Sequence, residues 1–226
     1  MNVRSTRFSG AMVAAAITLV TLSACTEKKT ETKPAPVQDA PATVAKQEKI
    51  KRGGYLMTVG GCHDCHTPMK FDPNLGMPVP QMDRMLSGHP EGAPDPVNEP
   101  GKGDNAVIGP TFTAFKLPFG TVYAANLTPD AETGTGLWSE DDFIRTIRSG
   151  KHRGAESGRP ILPPMPWRNV REMSDDDLKA VYAFLQSIPA IKNRVPEPQV
   201  PPPVYVAIDS ANQKIAEQEK ARAPKM

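Results

Sequence analysis

Cys62-His63-Asp64-Cys65-His66 is the stretch from which the rest of the chain is read. C-x-x-C-H is the attachment signature of c-type haem: two thiols bond to the porphyrin edge, and the adjacent His turns back to ligate iron. Two intervening residues give about one turn of chain, so both sulfurs face one edge of the macrocycle and His66 follows at once to lie under the metal. The other uses of C-x-x-C fit less well. Zinc would need a second ligand pair at finger-like spacing, and Cys25 is the only other cysteine. A thioredoxin-like dithiol would sit between a strand and a helix. Here Gly60-Gly61 precede the pair and Thr67-Pro68 follow it.

Toward the N-terminus, Arg4 and Arg7 precede an apolar run from Ala11 to Leu22, which ends in Leu22-Ser23-Ala24-Cys25. This is the n- and h-region pattern of a signal peptide, too short for a membrane span. The Cys at its end resembles the lipobox of bacterial lipoproteins, in which that Cys carries the lipid and becomes the mature N-terminus. Residues 1–24 are therefore expected to be a leader and Cys25 a lipid anchor. Residues 25–46, rich in Thr, Lys, Glu, Pro and Ala, are expected to be a flexible tether. Arg4 and Arg7 account for the whole formal charge of +2, so the rest of the chain is near neutral. Nothing in that balance points to nucleic acid. With 38% hydrophobic and 6% aromatic residues, 25 Pro and 17 Gly, the chain is thin in core-forming side chains. A buried haem would supply the missing apolar bulk.

The folded domain is expected over residues 47–190. Ile50, Leu56, Met57 and Val59 predict a short helix running into the motif, and the small Gly53 and Gly54 would let another helix cross closely. Residues 67–117, punctuated by Pro and Gly, predict a long ordered insertion with one helical turn near residues 81–86. Asn126-Leu127-Thr128-Pro129-Asp130 and Thr133-Gly134-Thr135-Gly136 carry turn chemistry. Ser139 predicts a helix cap with Glu140, Asp141 and Asp142 in the first turn, Phe143, Ile144 and Ile147 on the buried stripe, and Gly150 at the end. Ser174 predicts a second cap, followed by Leu178, Val181, Tyr182, Leu185 and Ile188 on one face and Pro189 beyond it. Residues 191–226 read as a Pro-rich, then weakly helical tail that either wraps the body or stays loose.

Met165, within Pro163-Pro164-Met165-Pro166-Trp167, is the candidate for the second axial ligand of iron. It lies between two capped helices, and flanking prolines stiffen the backbone and remove competing N–H donors. Met/His is a standard haem pairing. Met82, Met85, His89 and His152 are the rival ligands, and Trp138 or Trp167 is expected near the haem.

With these residues in place the chain resembles the class I cytochrome c family, in particular the cytochrome c subunits of bacterial membrane-bound alcohol and gluconate dehydrogenases. The resemblance runs from Arg52-Gly53 through Cys62-x-x-Cys65-His66-Thr67. It resumes at Pro118-Phe119-Gly120 and continues through Asn126-Leu127-Thr128-Pro129-Asp130 to Thr133-Gly134. Trp138-Ser139, Arg148-x-Gly150, Pro163-x-Met165-Pro166 and Ser174-Asp175-x-Asp177 complete it. It implies an all-α, class I cytochrome c fold around one covalent haem, with the 67–117 segment as a long Pro/Gly-rich insertion. It also implies Cys62 and Cys65 as thioether links, His66 and Met165 as axial ligands, and a Pro carbonyl accepting the His66 ring proton: Pro118, with Pro110 as runner-up. The dehydrogenase subunits carry several haem motifs, whereas this chain carries one.

The expected function is single-electron transfer between membrane-associated redox partners: a dehydrogenase, an oxidase or another cytochrome. The chain itself would not be an enzyme. It would be lipid-anchored to an inner or outer membrane and face the periplasm, or the cell exterior in a single-membrane bacterium. The alternatives are a fixed cytochrome subunit of a periplasmic dehydrogenase or oxidase complex, and a haem peroxidase or gas sensor with a labile sixth ligand.

Overall fold

The computed structural model describes residues 41–97 and 105–222. Cys25 and the leader lie outside the described residues, as does most of the tether. Helix α1 (Pro41–Val59) leads through Gly61 to the single turn α2 (Cys62–His66). Two small antiparallel sheets follow. Strands β1 (Met69–Asp72) and β2 (Met77–Pro80) pair antiparallel, and a 3-10 turn at Met82–Arg84 succeeds them. Strands β3 (Val107–Ile108), β4 (Ala114–Leu117) and β5 (Gly120–Tyr123) form an antiparallel sheet in that order. Helices α3 (Glu140–Ser149), α4 (Trp167–Val170), α5 (Asp175–Leu185) and α6 (Pro202–Arg222) complete the chain. No helix among the described residues is long and apolar enough to cross a membrane.

The all-α expectation is corrected by these two sheets. Their sequence signal is weak for physical reasons. Strand β2 contains Pro78 and Pro80, which cannot donate to a ladder and so mask the strand pattern. Strand β3 is two residues long. The β4–β5 connection is the two-residue turn Pro118-Phe119, closed by Gly120 at φ 145°, a backbone conformation that other residues rarely adopt. The helical turn expected at residues 81–86 is present as the 3-10 turn.

The helices follow their caps. The Ser139 side chain accepts from the Asp142 N–H while the Asp142 carboxylate accepts from the Ser139 N–H, a reciprocal box that satisfies two otherwise unpaired donors. Gly150 closes α3 in the left-handed region at φ 67°. The Ser174 side chain accepts from the Asp177 N–H at the start of α5. Helix α1 crosses α5 where Gly53 lies against the Ala180 carbonyl and the Phe184 side chain, leaving no room for a Cβ. Arg52–Asp177 (2.9 Å) flanks the α1–α5 crossing, and Lys49–Glu140 (3.0 Å) ties α1 to the start of α3.

Two apolar clusters result. The larger joins Leu56 and Met57 of α1, Leu86, Phe143 and Ile147 of α3, and Leu178, Val181 and Leu185 of α5. The smaller joins Phe115, Val122 and Leu162, with Tyr205 and Ile208 of α6 against it. The C-terminal segment wraps the body. The Gln199 N–H donates to the Thr121 carbonyl (2.9 Å), and the buried Asn193 side chain reaches back to the insertion.

Candidate haem site

Helix α2 presents its residues to both clusters at once. Cys62 packs against the larger cluster and Cys65 against the smaller, so one turn of helix spans the seam between them. Burial pushes both thiols up from their ordinary range, with the Asp64 carboxylate adding to it. Such thiols are protonated at neutral pH, unlike the low-pKa thiolates of dithiol oxidoreductases. Among the described residues, no group of three or more His, Cys, Asp or Glu is arranged to hold a bare metal ion.

His66 is buried, and desolvation lowers its pKa, outweighing the upward pull of its carbonyl partner. The ring is therefore neutral, the form that ligates a metal. Its Nδ1 lies 2.9 Å from the Ala125 carbonyl oxygen, which accepts the Nδ1 proton and leaves Nε2 as the ligating atom. This corrects the expectation for Pro118, and for Pro110 as its runner-up. Pro118 is exposed at the β4–β5 turn, where its fixed φ serves the hairpin. Ala125 lies just beyond β5 and is brought alongside His66 by backbone pairing. The sequence carries no side-chain signal for Ala125, because a main-chain oxygen accepts the proton.

Met165 is half-buried in the turn before α4 and lines a cavity of about 270 Å³ with Ile161, Pro163, Trp167, Ile208 and Asn212. Its N–H donates to the Leu162 carbonyl (3.3 Å), and Leu162 belongs to the same cluster as Cys65. Of the rival ligands, His89 is fully buried with its Nδ1 2.9 Å from Thr113 Oγ1 and its Nε2 without a partner among the described residues, Met82 is exposed, Met85 packs against the cluster that holds Cys62, and His152 packs edge-on against Trp138 at 5.5 Å. Trp138 lies against the cluster that holds Cys62, while Trp167 covers Gly150.

The residues fit a covalent haem: two protonated thiols one helical turn apart, a neutral imidazole with one tautomer fixed, and apolar walls on both sides of the seam. Cys62 and Cys65 would hold its edge and His66 its iron.

A Cys-x-x-Cys-His turn set in such a seam is similar to the haem-attachment site of c-type cytochromes, and comparison with known proteins points the same way. The chain is 28% identical over 161 residues to the alcohol dehydrogenase (quinone) cytochrome c subunit of Gluconobacter oxydans, covering 70% of this chain and 26% of that protein. It is 31% identical over 135 residues to the gluconate 2-dehydrogenase cytochrome c subunit of Pantoea cypripedii, covering 60% and 22%. It is 24% identical over 211 residues to the fructose dehydrogenase cytochrome subunit of Gluconobacter japonicus, covering 93% and 35%. No family model matches. The chain is thus a homologue of dehydrogenase cytochrome c subunits, and its matched part spans 22–35% of those three relatives' length.

Proposed function

We propose that this chain is a mono-haem c-type cytochrome that passes single electrons between redox partners at a membrane surface. The observation that carries the proposal is the Cys62–His66 turn set between two apolar clusters, with the His66 ring held by the Ala125 carbonyl. Haem, when bound, supplies a one-electron Fe(II)/Fe(III) couple. The protein's part is to fix it. Cys62 and Cys65 would anchor the macrocycle edge, and the neutral Nε2 of His66 and the thioether of Met165 would hold the iron. With His66 and Met165 both supplying ligands, the group would exchange electrons without bonding a substrate. Met ligation and burial raise the potential. Docking near the Cys65 edge would be small and transient, as suits electron-transfer encounters. Lipid on Cys25, with the tether behind it, would keep the domain close to membrane-bound partners on the periplasmic face.

The spectrum of the purified protein, reduced and oxidised, with and without carbon monoxide, tests this. A covalent c-type haem spectrum that carbon monoxide leaves unchanged is expected. Rapid carbon monoxide binding at neutral pH would overturn Met165 ligation and favour a sensor or peroxidase.

A second reading, a fixed cytochrome subunit of a dehydrogenase complex, is favoured by the subunit names of the relatives. Stoichiometric co-purification with a dehydrogenase would support it. A monomer that exchanges electrons freely would count against it.

A further inference from the structure

The insertion's residues Leu86–His89 form a strap behind His66. On one side the Gly88 N–H donates to the His66 carbonyl (2.8 Å) and the Leu86 N–H to Thr67 Oγ1 (3.0 Å). On the other side the His89 N–H donates to the Ala124 carbonyl (3.0 Å), and the Leu86 carbonyl accepts from the Leu127 N–H (2.9 Å). Four hydrogen bonds therefore bridge the segment that carries the proximal His and the segment that carries its acceptor. Gly88 sits at φ 75°, and a Cβ there would stand 2.5 Å from the Ala124 oxygen and 2.6 Å from both the carbon and the oxygen of the Ala125 carbonyl. That is the same carbonyl that accepts the His66 ring proton.

From the C-terminal segment, Asn193 clamps the strap. Its Nδ2 donates to the Ser87 carbonyl (2.7 Å) and the His89 carbonyl (2.9 Å). Its Oδ1 accepts from the Arg84 guanidinium (3.0 Å) and the Glu91 N–H (2.9 Å). Asn193 is 1% exposed, so these bonds are shielded from competing water.

We propose that Gly88 and Asn193 are positioning residues for the proximal ligand: the strap they build sets the His66–Ala125 hydrogen bond and, through it, the potential of the haem iron. A strong hydrogen bond from Nδ1–H makes the imidazole a better donor and stabilises the oxidised iron. Gly88 leaves the carbonyl room to reach the ring, and Asn193 keeps the strap in place. The inference rests on the proposed haem ligation by His66.

The test uses the haem-loaded full chain and three variants. Gly88→Ala crowds the Ala125 carbonyl. Asn193→Ala loosens the strap without adding bulk, so it carries the test if Gly88→Ala does not load haem. Ser139→Ala lowers stability at a helix cap outside the strap and serves as the control. Midpoint potential and solvent exchange of the His66 ring N–H in the reduced protein are measured. The expected result is a raised potential and faster ring N–H exchange in the strap variants, with the control unchanged. Strap variants that load haem yet match the wild type in both readouts would overturn the inference. A wild-type protein without a covalent haem spectrum would instead overturn the underlying reading.

Discussion

The axial candidates His66 and Met165 are held differently. His66 ends α2, is buried, and has one ring nitrogen committed to Ala125. Met165 sits half-exposed in a Pro-lined turn beside a cavity. A soft thioether in a stiffened loop can settle on iron without breaking a hydrogen bond, since sulfur is only a weak acceptor. Met165→Ala is therefore expected to abolish the near-infrared sulfur-to-iron charge-transfer band while leaving the haem covalently attached; an absorption scan of the oxidised protein checks this. At this scale the motif residues were legible because the chemistry lies in their side chains. Ala125, Gly88 and Asn193 were not. The first acts through a main-chain oxygen and the second through a missing Cβ. The third bridges backbone carbonyls more than a hundred positions away, a pairing that only the folded chain brings together.

Among the elements, α3 and α5 were legible for the same reason that they are stable. Their polar caps announce the start of each helix, and the apolar positions recur at helical spacing. Ser139→Ala removes one half of a reciprocal box and is expected to cost about 1 kcal/mol, read as a lower urea midpoint with an unchanged slope. The α1–α5 crossing was legible through its glycines. Gly53→Ala would drive a methyl group into the Ala180 carbonyl. Overpacking of this kind costs about 1–3 kcal/mol, which outweighs the better helix propensity of Ala and should appear as a lower melting temperature. The strands escaped because prolines occupy β2 and β3 is only two residues long; the isolated bridge Thr121–Gln199 further joins the sheet to the C-terminal segment. The 67–117 segment is thus the part in which composition said least and tertiary contacts decided most.

Across the whole molecule, burial sets the acid response. His63, His89 and His152 all have pKa values lowered from 6.5, with desolvation as the leading cause in each. For His89 the Ala93 carbonyl and the Asp95 carboxylate pull the other way without prevailing. A histidine whose folded pKa lies below its unfolded one favours folding above 6.5 and loses that contribution as pH falls toward the folded value. Urea midpoints are therefore expected to drop between about pH 7 and about pH 5, before the lowered carboxylates of Asp142, Asp175 and Asp177 begin to titrate. His89→Gln should flatten that slope. At the same scale, Cys25→Ser is expected to move the protein from the membrane fraction to the soluble one, as fractionation followed by haem staining would report.

The reach of Asn193 has a consequence in time. Its partners Ser87 and His89 precede it by 106 and 104 residues. As the chain emerges from its N-terminal end, the haem motif and the strap are present long before the residue that completes them. Until position 193 arrives, the Ser87 and His89 carbonyls have no Asn193 side chain to pair with. Contacts of such sequence separation form late and slowly. The chain therefore exposes Cys62 and Cys65 early and closes its fold behind them late, an order that would suit covalent attachment of a haem before the fold shuts around it.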